Sequence, residues 1–294
     1  MSDTIFVTGA SGQLGQLVIK HLLARGVTPS RIIAGTRSPE KLADLAAAGI
    51  EVRQADFEDL QGLAEAFKGV GTALIVSTDA VNGADRRLKQ HRNAVLSAAE
   101  AGVKRLAYTS MPNPANSFLT FARDHLETER TIQATGLPHV IFRNGWYHEN
   151  LLRSLPDALK SGQWYSATAD GRTSSAGREE MAEAIAAALA TSTSGSRTYT
   201  LTGTEALSSE EIADLARRAT GKPLAVVHVT DEQFATGLKA AGVPDDFVSL
   251  LVSIEAEVRA GNLSIVTDHL ESLIGRTPKR LADYLQEAKT SYAG

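Results

Sequence analysis

Apolar positions in the first half of the chain fall into short runs separated by longer amphipathic stretches. The runs at Thr4–Thr8, Arg31–Thr36, Glu51–Ala55, Ala73–Ser77, Arg105–Thr109 and His139–Phe142 predict strands. The stretches between them carry apolar residues on one side of a helical repeat. They predict helices at Leu14–Arg25, Pro39–Ala48, Leu60–Phe67, Arg87–Ala101 and Asp124–Ala134. Gly26, Gly49, Gly69, Gly102 and Gly136 each stand just past one of these helices, where a left-handed residue ends the last turn. Strand and helix in such regular alternation build a parallel sheet with helices on both faces.

After Phe142 the rhythm breaks. Arg143–Asn150 reads as a polar and aromatic loop, and Asn150–Lys160 as a helix interrupted at Pro156. Glu179–Ala190 is alanine-rich and helical, while Arg197–Thr202 and Leu224–Val229 read as late strands. Ser208–Ala219 opens on Ser208-Ser209-Glu210-Glu211, a capping pattern, and further helices are expected at Asp231–Ala241, Asp245–Ala260 and His269–Ile274. The expected organisation is a dinucleotide-binding domain over residues 1–150, with elements near 179–204 returning to it. A smaller α-rich lobe would comprise 151–178 and 205–294, laid over the carboxyl ends of the strands, where open α/β sheets bind ligands.

The first strand runs straight into Thr8-Gly9-Ala10-Ser11-Gly12-Gln13-Leu14-Gly15 and then into a helix. Glycine lets the main chain turn sharply and approach a pyrophosphate that a Cβ would hold away. The free N–H groups and positive end of the following helix would face the phosphates. Strand, glycine turn and helix together predict a doubly wound α/β fold of the Rossmann type, with Gly9, Ala10, Ser11, Gly12, Gln13 and Leu14 around the cofactor. A site for NAD places a carboxylate at the end of the second strand, against the ribose 2′-hydroxyl. Here that position is Arg37, whose guanidinium suits a 2′-phosphate, so NADPH is the expected cofactor. Later strand ends add Asp56 and Phe57 for the adenine edge and face, then Ser77 and Thr78 beneath the nicotinamide ribose. Thr109-Ser110 and Arg143-Asn144-Gly145-Trp146-Tyr147 close the fifth and sixth strands.

Composition narrows the setting. The chain has 294 residues, of which 43% are hydrophobic and 22% charged, ample for a large core. A net charge of −4 and the lack of any Lys/Arg run argue against nucleic acid. No apolar stretch approaches the roughly 18 residues of a membrane span, and a strand begins too soon after the N-terminus for a signal peptide. Without cysteine there are no disulfides and no thiolate chemistry, which suits a cytoplasmic protein. The seven histidines show no metal-ligand spacing, so no metal is expected, and no G-x-S-x-G elbow marks a serine hydrolase. The expected partner is a small-molecule substrate, with no nucleic acid or membrane partner and a homodimer as the candidate assembly.

Several stretches resemble a known family. The glycine turn is similar to that of the extended and atypical short-chain dehydrogenases. More narrowly, Gly9–Gly15, Arg37-Ser38-Pro39, Val52–Asp56, Gln90-His91-Arg92-Asn93, His125–Glu129 and Arg143–Tyr147 resemble the NmrA-like proteins. Within them the likeness is to bacterial type-2 NADPH-dependent quinone oxidoreductases, with the triphenylmethane dye reductases beside them. The resemblance implies cofactor contacts from Gly9 to Leu14, Arg37, the stretch near Ser77, the Asn144–Tyr147 loop and Arg178. It does not extend to the usual acid of short-chain dehydrogenases, a Tyr-x-x-x-Lys pair. Phe121-Ala122-Arg123-Asp124-His125 stands there, with Phe for Tyr and His for Lys.

That departure bears on the acceptor. Hydride delivery to a simple ketone makes an alkoxide, with a pKa near the value of about 15.7 for bulk water. Delivery to a quinone makes a phenolate-like anion, nearer the tyrosine value of about 10. The difference of roughly 5–6 units is on the order of 8 kcal/mol of proton-transfer demand. A site without a strong internal acid fits the acceptor that stabilises its own charge. The candidate catalytic residues are Tyr147 as proton donor, His125 as a ribose partner in place of the lysine, and Asn144. Trp146 and Tyr147 would line the substrate pocket. Two alternatives stay open: a carbonyl reductase acting on ketones or aldehydes, and a non-enzymatic NADP-binding redox sensor.

Overall fold

The computed structural model describes residues 4–80, 85–191 and 195–293. The first half alternates as β1 Ile5–Val7, α1 Gln13–Ala24, β2 Ile32–Thr36, α2 Ala43–Ala47, β3 Glu51–Gln54, α3 Leu60–Ala66, β4 Thr72–Ile75, α4 Arg86–Glu100, β5 Arg105–Ser110, α5 Ala122–Ala134 and β6 His139–Asn144. There follow β7 Trp146–Tyr147, α6 Leu155–Ser161, β8 Gln163–Ser166, β9 Arg172–Thr173, β10 Ser175–Ala176, α7 Arg178–Ala190, β11 Arg197–Leu201 and β12 Leu207–Ser208. The chain closes with α8 Ser209–Thr220, β13 Ala225–His228, α9 Asp231–Ala240, α10 Asp245–Arg259, α11 His269–Ile274, α12 Leu281–Glu287 and α13 Lys289–Tyr292.

A seven-stranded sheet has the order β11-β6-β5-β4-β1-β2-β3. Each neighbouring pair from β6 through to β3 is parallel. The chain reverses direction across the sheet between β1 and β4, and the carboxyl ends of those two strands form the switch point of a doubly wound fold. Strand residues alternate between faces, and both sets are buried, which calls for helices on both sides. On one face Phe6, Ile33, Ala73, Ile75, Leu106 and Tyr108 pack with Leu63, Ala94, Val95 and Ile132 of α3, α4 and α5. On the other, Ile5, Val7, Ile32, Ala34, Leu74 and Ala107 are equally enclosed. The five helix-ending glycines all take positive φ, from +70° to +86°.

The chain divides into two compact units. One comprises Met1–Met111, Arg123–Arg143 and Glu179–Tyr199; the other comprises Pro112–Ala122, Asn144–Arg178 and Thr200–Gly294. The second has its own core, in which Leu155 and Leu159 of α6 meet Ile212, Ala213 and Ala216 of α8 and Leu281 and Leu285 of α12. Ser208 caps α8 with the reciprocal Glu211 contact its sequence predicts, and Thr230 with Gln233 repeats the device on α9. Among the described residues, no helix is long and apolar enough to cross a membrane.

Three local expectations are corrected. The stretch read as one helix over Pro39–Ala48 is a 3-10 turn at Pro39–Leu42 followed by the short α2, the break falling at Leu42, whose φ of −115° and ψ of 23° are not helical. Pro156 starts α6 rather than interrupting a helix, because proline in a first turn forfeits no helical hydrogen bond. Arg143 and Asn144 belong to β6, Trp146–Tyr147 pair with Ser175–Ala176, and His148 opens a 3-10 turn, so the expected loop is half strand and ends in a turn of helix.

Candidate active site

The glycine turn builds an anion cradle from backbone alone. Gly9 has φ +60°, and Gly15 lies so close behind it that a Cβ there would stand 2.4 Å from the Gly9 carbonyl oxygen. Both positions therefore demand glycine for the turn itself. Gly12 differs: its φ of −86° and ψ of 165° suit any residue. It is the N-cap of α1, yet no side chain caps that helix and its first turn holds no acid. The result is a helix N-terminus with open N–H donors and no negative charge of its own, which fits a pyrophosphate. Ser11 Oγ lies 2.9 Å from Thr36 Oγ1, tying this turn to the end of β2. Arg37 follows directly, exposed, and makes no ion pair among the described residues. Its charge is available to a ligand phosphate.

Beyond β4, three successive backbone N–H groups leave the sheet and are taken by side chains. Val76 donates to Thr8 Oγ1 at 2.9 Å, Ser77 to Thr109 Oγ1 at 2.8 Å and Thr78 to His91 Nε2 at 3.1 Å. Thr78 Oγ1 is enclosed and has no hydrogen-bond partner among the described residues. An orphaned hydroxyl beside the switch point is what a cofactor ribose would satisfy.

His91 belongs to a polar network inside the core of the first unit. Arg87 Nη2 donates to His125 Nε2 at 2.8 Å, and His125 Nδ1 lies 2.8 Å from the Tyr108 hydroxyl. His91 Nδ1 lies 3.0 Å from Thr128 Oγ1, which donates to the Asp124 carbonyl at 2.6 Å. Burial, helped by the Arg87 charge, pushes the His91 imidazole down to about 3 and holds His125 well below its ordinary range. Burial likewise raises the Tyr108 phenol. The expected role of His125 is thus corrected: both ring nitrogens are engaged by the protein, and the ring is neutral and 4% exposed.

Other expected ligands are redistributed in the same way. The Phe57 ring is buried in the core beneath α3 and α4, so it offers no face to adenine. Asp56 closes a local turn by accepting the Glu58 N–H at 3.0 Å, while Asp59 caps α3. Arg143 spends its charge on Glu129, at 2.6 Å and 3.0 Å, and that carboxylate also accepts Ser110 Oγ at 2.6 Å. Gly145 is needed for packing: a Cβ would come 2.8 Å from the Leu201 carbonyl. Sequence reasoning passed over Arg87, Thr128 and Glu129. The signal available was spacing, since Arg87 and His91 stand four apart on α4, and His125, Thr128 and Glu129 share one side of α5.

In the second unit, Asn144 Nδ2 donates to the Tyr147 hydroxyl at 3.1 Å, and Asn144 Oδ1 is buried without a partner among the described residues. The Arg178 guanidinium lies over the Tyr147 ring, 4.5 Å from its centroid. Both carboxylate oxygens of Glu149 accept the Arg178 backbone N–H, at 3.0 Å and 3.1 Å, fixing the start of α7. Burial raises the Tyr147 phenol above its ordinary value, outweighing the Asn144 hydrogen bond and the Arg178 charge. Trp146 is half-buried beside it on β7. Sequence reasoning passed over Glu149.

A parallel sheet with this switch point, an uncapped helix behind a glycine turn and a cation closing β2 define a dinucleotide-binding α/β protein. The chain belongs to the NmrA-like family, whose model matches residues 1–284. It is 37% identical over 279 residues to quinone oxidoreductase 2 of Escherichia coli (strain K12), covering 95% of this chain and 96% of that protein. The crystal structure of an NADPH-dependent quinone oxidoreductase from Escherichia coli complexed with NADPH matches with a TM-score of 0.92 at 36% identity, covering 97% of this chain and 100% of that one. Citrobacter sp. triphenylmethane reductase complexed with NADP(H) matches at 0.91 and 34% identity, with coverage of 97% and 100%.

Proposed function

We propose that this chain is an NADPH-dependent oxidoreductase whose acceptors are quinones and similarly electron-poor molecules. Bound NADPH supplies the hydride. The protein's own residues bind, orient and exclude water. The turn from Gly9 to Leu14 and the N-terminus of α1 hold the pyrophosphate, Arg37 holds the 2′-phosphate, and Thr78 Oγ1 takes a ribose hydroxyl. Asn144, through its unpaired Oδ1, and Arg178 keep the cofactor-contacting role expected of them, while Trp146 and Tyr147 contact the acceptor.

One observation carries the choice of acceptor. His125, standing where the lysine of an acid pair would be, is neutral and has both nitrogens bound inside the core. Tyr147 retains a hydroxyl proton, but burial makes it a weaker acid than a free tyrosine. No group at these positions is tuned to protonate an alkoxide, whereas a quinone needs no such help. Tyr147→Phe is therefore expected to lower kcat far less than the roughly 10²–10⁴-fold typical of losing a general acid. Measured with the best quinone over about pH 6 to 9, the variant should keep the wild-type profile. A collapse of several thousandfold with NADPH affinity intact would promote the carbonyl reductase.

Cofactor choice has its own test. Arg37→Ala should weaken NADPH by about tenfold or more, as one charge-assisted hydrogen bond is lost, and leave NADH nearly unchanged. Titration of both nucleotides checks this, and equal losses would remove Arg37 from the 2′-phosphate.

A further inference from the structure

The network behind Thr78 has a fixed hydrogen-bond direction. The Thr78 N–H can only donate, so His91 Nε2 accepts, and a neutral His91 then carries its proton on Nδ1. That proton lies between Thr128 Oγ1 at 3.0 Å, whose own proton goes to the Asp124 carbonyl, and the Tyr108 hydroxyl at 3.2 Å. From the other end Arg87 can only donate, so His125 accepts at Nε2 and donates from Nδ1 to Tyr108. The two branches meet at the Tyr108 hydroxyl, and the ring protons of His91 and His125 both point away from the strand end. The chain of groups delivers no proton to a ligand; it takes up a backbone N–H and holds it. His91 is the hinge of the arrangement: α4 supplies the ring, α5 fixes its tautomer through Thr128, and the ring anchors the last residue of the β4 extension. Held there, Thr78 keeps an enclosed hydroxyl that has no protein partner among the described residues, an arrangement that is costly unless a ligand completes it.

We propose that His91 is a positioning residue for the nicotinamide half of the cofactor, locked as the Nδ1–H tautomer so that Thr78 Oγ1 is aimed at a ribosyl hydroxyl. The proposal rests on the NADPH reading above. It makes a distinction that core filling alone would not. A glutamine at 91 places its amide where Nε2 stands and can accept the Thr78 N–H; an asparagine places its amide where Nδ1 stands and leaves that N–H unpaired.

The experiment is calorimetric titration of folded wild type, His91→Gln, His91→Asn and Thr78→Val with NADPH and with adenosine 2′,5′-bisphosphate, which lacks the nicotinamide riboside. Thr78→Val is nearly isosteric and lies outside the core, so it keeps the test available even if an exchange at 91 unfolds the chain. Expected are a loss of about tenfold in NADPH affinity for His91→Asn and Thr78→Val, near wild-type affinity for His91→Gln, and unchanged bisphosphate affinity throughout. Equal losses for Gln and Asn, an unaffected Thr78→Val, or losses shared by the bisphosphate would overturn the positioning role while leaving NADPH binding in place. Failure of the wild type to bind NADPH at all would overturn both readings.

Discussion

Mild acid is expected to destabilise this protein. In the unfolded chain a histidine titrates near 6.5. In the folded chain His91 is pushed down to about 3 and His125 lies well below its ordinary range. Between those limits the unfolded state binds protons that the folded state refuses, so stability is full above about pH 6.5 and falls as the pH falls. For His91 this removes about 1.4 kcal/mol per pH unit across that window. From about pH 6.5 to pH 5 that is roughly 2 kcal/mol for His91, a sizeable part of a typical domain stability of about 5–15 kcal/mol, and His125 adds a loss of the same sign. Urea denaturation at about pH 7.5 and about pH 5 should show the loss, and the double variant His91→Gln/His125→Gln should flatten it. An unchanged acid slope in that variant would place the sensitivity elsewhere.

A single valine at the glycine turn should abolish cofactor binding while sparing the fold. Gly12 has an extended conformation open to any residue, and an added Cβ would sit 3.2 Å from the Gly9 carbonyl oxygen, a contact small adjustments relieve. Gly12→Val therefore folds, but its branched side chain occupies the space in front of the uncapped N-terminus of α1. Losing two charge-assisted hydrogen bonds there corresponds to an affinity loss of about a hundredfold or more. Gly15→Ala is the contrasting case. Its Cβ would strike the Gly9 carbonyl at 2.4 Å, so the turn itself gives way and stability and binding fall together. Thermal melts and calorimetry on the two variants separate the roles. Tight NADPH binding by folded Gly12→Val would end the pyrophosphate assignment.

Much of this was legible in the sequence because it is local. Glycines closing helices, an apolar run before Gly9 and a cation after β2 are read within a few residues of one another. Side chains whose neighbours arrive from afar were not. Phe57 sits three residues beyond a half-exposed edge strand, and only the placement of α3 and α4 decides that its ring turns inward. Arg143 follows a strand as a ligand would, yet Glu129 reaches it from α5, fourteen residues earlier in the chain. His125 stands at the lysine position of the related dehydrogenases, and Arg87 and Tyr108, from α4 and β5, make it part of the core instead. The two-residue strands β7, β9, β10 and β12 are too short to carry a periodic signal.

NADPH oxidation by the wild type and by Tyr147→Phe, followed against quinones, triphenylmethane dyes, aldehydes and ketones, bears most directly on an enzyme that lends its acceptor no acid. Quinones and dyes should be reduced by both proteins at similar rates, while simple aldehydes and ketones are left untouched. Ready reduction of ketones that vanishes in Tyr147→Phe would contradict this and make the protein a carbonyl reductase. NADPH binding with no turnover of any acceptor would contradict it in the other direction, leaving a redox sensor.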